Sequence, residues 1–230
     1  MDFTKFVSML DSQALFFTRA DKLGDPFEGS YSRGNERLRL DAFKEFFKGL
    51  PEEKVAQVRS GMQGFAKWFR NWVFVNCWHM NPGESAAMWK LYVKSNESVA
   101  IKSSFQRLFD VLDEEVFVGL VEYIDFERDW VPEGNSFYPF VHKRRSFAHE
   151  QEVRAVFQPV LPSSGESLDL TNVPSYDGVE RKVALDRLIE EVYVAPTSPA
   201  WFKALVGRVT AKYGLTARIT QSSLDANPFY

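Results

Sequence analysis

Glu150 and Glu152 stand two residues apart, with His149 before them and Arg154 after. A strand beginning near Glu150 would place Glu150, Glu152 and Arg154 on one face, roughly 6.6 Å apart per pair of residues. Neighbouring carboxylates raise each other's proton affinity, and a guanidinium opposes that shift. His149 adds a group that titrates near neutrality. One carboxylate of such a pair could hold a sugar's hydroxyls while the other stabilises developing positive charge. The same alternation also describes a salt-bridged strand edge, and the residues alone leave both readings open.

Three other segments carry polar groups at suggestive places. Trp78, His79, Asn81 and Ser85 lie where a strand leads into a helix. Asn81 as cap, Pro82 in the first turn and Glu84 reaching back predict the helix start. Free N–H groups at such an end attract anions. Arg19 follows a short apolar run and is placed to grip phosphate or carboxylate bidentately. His142-Lys143-Arg144-Arg145 is a basic run that could contact phosphate or simply be solvated. Cys77, inside an apolar stretch, reads as a buried, inert thiol.

The elements that must position these groups follow from periodicity. Phe3, Phe6, Val7 and Leu10 predict a short amphipathic helix. Residues 14–18 read as a buried strand and 19–29 as a loop. Helices are expected over about 35–49 and from Pro51 onward, the second with Val55, Val58, Met62, Phe65 and Phe69 at a 3.6 period. Residues 72–78 are aromatic and β-branched, hence strand. Further strands are expected at 98–102, 115–126 and 152–160, and a helix at 105–112. Residues 161–180 read as an exposed excursion. The last fifty residues read strand, helix, strand, a βαβ unit with parallel pairing. The expectation is an α+β (mixed α/β) fold, with a central mixed sheet, flanking helices and a C-terminal βαβ unit. It comprises one globular domain over 1–230, with a helical insertion at about 35–70.

Composition narrows the classes. The chain has 230 residues, 45% of them hydrophobic and 15% aromatic, enough for a ring-rich core. Its net charge of −3 provides no global field for nonspecific nucleic-acid binding. One cysteine excludes an internal disulfide and a cysteine metal cluster, and with three histidines no zinc site is expected. The N-terminal residues do not read as a signal peptide, and no run reaches the roughly 20 apolar residues of a membrane helix. A cytoplasmic protein without a membrane partner is the expectation. Oligomeric state is not legible.

The order of several short pieces resembles a large bacterial family known only as a domain of unknown function. These pieces are Leu15-Phe16-Phe17-Thr18, then Asp25-Pro26-Phe27-Glu28, Met88-Trp89 with Tyr92, Val121 and Tyr123, and finally Lys143 with Phe147, Glu150, Glu152 and Arg154. Gly24 replaces an expected Asn, and Phe147 an expected Trp. The pattern in turn resembles distant ADP-ribosyltransferases, which use an early polar residue, a middle strand-to-helix segment and a late Glu-X-Glu. That resemblance implies an ADP-ribosyltransferase-like fold with NAD as cofactor. Glu152 and Glu150 would be catalytic, with His149 beside them. Arg19, Trp78, His79, Asn81, Ser85 and Arg154 would surround the nucleotide. It also implies a nucleic-acid or protein acceptor and a role in phage defence or in a toxin–antitoxin pair. The Ser-Thr-Ser motif of many such enzymes is absent here. Two alternatives remain: a non-catalytic interaction module, and a metal-dependent hydrolase of nucleotides or nucleic acid.

Overall fold

In the computed structural model, residues 1–93, 95–164, 167–226 and 228 are described. The helices are α1 (Phe3–Ser12), α2 (Arg33–Phe46), α3 (Glu52–Phe69), α4 (Ala86–Tyr92), α5 (Phe105–Val111), α6 (Leu185–Leu188) and α7 (Ala200–Lys212). The strands are β1 (Ala14–Arg19), β2 (Phe74–His79), β3 (Val99–Lys102), β4 (Val116–Leu120), β5 (Glu122–Ile124), β6 (His142–Arg144) and β7 (Glu152–Phe157). They continue with β8 (Ser163–Ser164), β9 (Ser167–Leu168), β10 (Gly178–Lys182), β11 (Glu191–Val194) and β12 (Arg218–Gln221). The fold is α+β, with parallel and antiparallel pairing. Two compact units divide the chain: Met1–Phe16, Asn81–Glu114 and Glu180–Tyr230 form the first, Phe17–Met80 and Glu115–Val179 the second. Among the described residues no helix is long and apolar enough to cross a membrane.

The first unit holds the expected βαβ. β11 pairs in parallel with β12 and antiparallel with β3. Val192 and Val194 of β11 are fully buried, as are Phe202 and Val206 of α7. Phe3 of α1 meets the Phe202 ring edge-on at 5.1 Å. Asp2 caps α1 by accepting from the backbone of Lys5, and the helix buries Phe6, Met9 and Leu10 as its spacing requires. Gly214, at φ +76, ends the turn after α7.

α4 departs from expectation. It begins at Ala86, not at Pro82, and Ser85 is its cap, accepting from the backbone of Met88. Asn81 instead closes a turn by accepting from the backbone N–H of Gly83 at 3.1 Å. The serine wins because the Pro82-Gly83 pair favours a turn over a helical first turn.

In the second unit β1, β2, β7 and β4 are successive neighbours. β7 is central, paired antiparallel to β2 from Phe74↔Phe157 to His79↔Glu152, and to β4 from Val116↔Phe157 to Leu120↔Val153. All six β7 residues are therefore buried, and the alternating exposure expected of 152–160 is absent. The long strand expected over 115–126 breaks at Val121. Beyond it β5 leaves β7 and pairs in parallel with β6.

Register sorts the side chains by face, because directly opposed residues share one. Val75 and Val156 face Trp68, Phe69 and Phe140 in an apolar cluster. Both indoles there are satisfied, Trp68 and Trp72 each donating to the carbonyl of Asn172. Cys77, His79, Glu152 and Arg154 continue along this face. Phe74 and Phe157 occupy the other, where the Tyr176 ring stacks on Phe74.

α2 is held mainly by polar groups. Ser32 and Asn35 form its capping box, and the fully buried Asn35 also donates to the carbonyl of Val131 and accepts from its N–H. Gly34 permits the approach, since a Cβ there would stand 2.5 Å from the carbonyl oxygen of Asp129. Phe46, near the end of α2, is 87% exposed.

Candidate functional site: a buried ionic cluster

Lys143 is the middle residue of β6, and its register partner on β5 is Tyr123. The Tyr123 hydroxyl accepts from the backbone N–H of Glu152 at 2.9 Å, and Val121 donates to the carbonyl of Glu152. These two bonds dock the β5–β6 ribbon against the start of β7. Glu150 does not belong to β7. It ends a 3-10 turn, and Gln151 at φ 40 redirects the chain. The strand geometry expected for Glu150, Glu152 and Arg154 thus holds only for the last two. A left-handed residue supplies the turn that brings Glu150 alongside.

The result is a compact set of charges. Lys143 Nζ lies 2.5 Å from Glu150, 2.7 Å from Glu152 and 3.3 Å from Glu28. Arg154 grips Glu152 through Nε at 2.8 Å and Nη2 at 3.1 Å, pairs with Glu28, and donates to the carbonyl of Phe140 at 2.9 Å. All five residues are buried. Phe147 borders the lysine, with Nζ 4.8 Å from its ring centre.

The two glutamates are driven apart in proton affinity. Burial and the hydrogen bond that its carboxyl donates to Glu152 raise Glu150, and Lys143 only partly offsets this. Burial would raise Glu152 too, but hydrogen bonds with Arg154, Glu150 and Lys143 overcome it and hold it well below the usual carboxylate range. Lys143 is held above its ordinary value, because its bonds to the two glutamates outweigh the cost of burial. One carboxylate is thus a firm anion, while its neighbour takes up protons readily.

On the rim of the cluster, His79 Nδ1 lies 2.6 Å from the carbonyl oxygen of Glu150. A carbonyl only accepts, so Nδ1 carries a proton, and in the neutral ring Nε2 presents a lone pair. That Nε2 is enclosed and has no hydrogen-bond partner. Cys77 stands opposite Arg154 in the register. It is exposed, contrary to the expected buried thiol. Protein atoms still crowd it, and the loss of bulk water pushes the thiol up to about 12, so it is protonated at neutral pH.

The other expected site residues fall elsewhere. Arg19 is opposed by Phe74 and so projects from the other face of the sheet. Its guanidinium is occupied by Asp21, at 2.6 Å from Nε, and by the carbonyls of Pro174 and Tyr176. Trp78 shares that other face, its indole donating to Asn76 at 2.6 Å. His149 is exposed, with no hydrogen bond or ion pair to the cluster among the described residues. Asn81 and Ser85 belong to the first unit. α4 is only seven residues long, so its start offers a weak dipole and no anion site. Every member of the basic run has a protein partner, and of the four Arg145 is the one well exposed to solvent. His142 donates through Nδ1 to the carbonyl of Tyr138, Lys143 joins the cluster, Arg144 pairs with Asp25, and Arg145 with Asp129. Among the described residues, no three His, Cys, Asp or Glu side chains are grouped to hold a metal ion.

Two members, Glu28 and Lys143, were not singled out as site residues. Their signal was the Asp-Pro-Phe-Glu turn and the single lysine of the basic run. Both lie within the family-like pattern. No family model, curated protein or solved structure matches the chain.

Proposed function

We propose that the cluster is the reaction centre of an ADP-ribosyltransferase-like domain that binds NAD or a related nucleotide and passes ADP-ribose to a nucleic-acid or protein acceptor. The observation that carries this reading is the opposite displacement of two adjacent carboxylates on one lysine. Such splitting is how a site assigns separate duties to like groups. Glu152, locked as an anion, holds ribose hydroxyls and stabilises the positive charge that grows as the bond to nicotinamide stretches. Nicotinamide leaves with the bonding pair. The acceptor's lone pair forms the new bond, and its proton goes to Glu150, whose raised affinity suits it to receive one. His79 Nε2 supplies an acceptor for a hydroxyl or N–H of the ligand. Lys143 and Arg154 are the cations at the centre, in the part first assigned to Arg19. A cluster of buried charges is a poor stabiliser relative to apolar packing, which favours a functional reason for it.

Calorimetry with NAD tests the proposal, paired with mass spectrometry of candidate acceptors. The protein should bind NAD, and Glu150→Gln should bind it without transferring ADP-ribose. A folded parent protein that takes up no NAD would sink the reading. One observation favours a second reading, a non-catalytic interaction module: every charged end in the cluster already has an ionic partner. In that case Glu150→Gln would alter stability and leave no ligand-dependent property to lose.

A further inference from the structure

A separate hollow of about 540 Å³ lies in the second unit, between α2, α3 and residues 133–140. Its size falls within the roughly 300–1,000 Å³ of small-molecule sites. The floor is apolar and ring-rich. Phe65 and Phe69 stack at 5.6 Å with planes 20° apart, and Phe140 meets Phe69 at 6.0 Å. Met62 and Phe65 remain 41% and 39% exposed, although their helical spacing marks them as core.

The polar end of the hollow is specific. The guanidinium carbon of Arg39 lies over the Tyr31 ring, 4.1 Å from its centre. Its Nε donates to both oxygens of Glu133, at 3.0 and 3.1 Å. The Tyr31 hydroxyl takes a hydrogen bond from Arg39, and no carboxylate or carbonyl among the described residues accepts from its outer N–H groups. Glu133 already balances the charge of Arg39, so a second anion would gain little there. A neutral acceptor on a flat ring matches both the remaining outer donors and the aromatic floor. Gly61 keeps the wall open: nothing lies within 4 Å of where its Cβ would be, and a mid-helix glycine costs about 0.8–1.0 kcal/mol relative to alanine.

We propose that this hollow is a binding site for a flat, uncharged heteroaromatic ring bearing a carbonyl or ring-nitrogen acceptor, the chemistry of a free purine base. It is independent of any reaction at the ionic cluster. Saturation-transfer NMR with adenine as the probe tests it. Adenine should show transfer from the native protein, and Gly61→Phe should weaken binding by about tenfold or more, equivalent to about 1.4 kcal/mol. Gly64→Phe is the control, since Gly64 also faces open space on α3 but lies outside the lining of the hollow. It should leave adenine binding intact, and circular dichroism should show both variants folded. The proposal is overturned if adenine gives no transfer, or if Gly61→Phe and Gly64→Phe bind it alike. It is also overturned if binding survives Gly61→Phe but is lost in Glu150→Gln, which would move the ring to the ionic cluster.

Discussion

The ionic cluster and the hollow beside α3 are close neighbours with opposite characters. Phe140 serves both, its carbonyl accepting from Arg154 and its ring lining the hollow. Glu28 and Gly29, adjacent in the chain, do likewise. The cluster concentrates charge in a place where each group is already paired. The hollow has room, exposed rings and little charge. Chemistry-bearing residue types therefore point to the first and say nothing of the second. Space is set by what helices fail to cover, and no residue type records it.

If the cluster is a tightly coupled unit, removing its most buried member should do the most damage. Arg154 is fully buried, and Arg154→Met would leave Lys143 as the one cation for Glu28, Glu150 and Glu152 together. Breaking a buried pair from one side costs roughly 3–5 kcal/mol, and the upper end is expected here. Urea denaturation should show a matching fall in midpoint. A loss below about 1 kcal/mol would mean that the charges are better solvated than their burial implies.

The two glutamates should then separate. Glu152→Gln removes the anion that holds both Lys143 and Arg154, and about 3 kcal/mol is expected. Glu150→Gln replaces the carboxyl whose proton affinity is raised and not the one held as an anion, so its cost should be the smaller, below about 1 kcal/mol. Equal losses in the two variants would erase the asymmetry on which the assigned roles depend.

Their pH dependence follows with opposite signs. Glu152 is held low in the folded state, so its contribution is present above its unfolded pKa and lost only as pH falls through its lower folded value. Glu150 is raised, so its contribution is present below its unfolded pKa and lost as pH rises through its folded value. Thermal melts from about pH 4 to about pH 8 should therefore show Glu150→Gln gaining on the parent protein as pH rises. A constant gap would mean that Glu150 titrates as an ordinary carboxylate.

Much of the frame was legible before any coordinates. The spacing of Phe3, Phe6 and Leu10 marks α1, and strand–helix–strand composition marks the βαβ unit with its parallel β11–β12 pair. Local pattern decides these, so sequence suffices. It does not suffice for Glu150, because only the left-handed Gln151 brings it beside Lys143. Arg19 misleads for a similar reason: a one-residue step along β1 sends its side chain to the other face. Val58, Met62 and Phe65 have the period of a core face and yet line an open hollow. Periodicity reports which side of a helix is apolar, and not whether anything covers it.

The mildest test probes that last point through two glycines on one helix. Gly61 and Gly64 both face open space within α3, and neither adopts a left-handed φ. Alanine at either position should restrict the unfolded chain and favour the helix, stabilising by about 0.4–1 kcal/mol. If Gly61 is present only because the helix tolerates it, the two variants should behave identically in every assay. If it keeps the hollow clear, Gly61→Ala should gain the same stability as Gly64→Ala and alone lose adenine affinity. Only this second outcome separates a vacancy that serves a ligand from one that merely went unfilled.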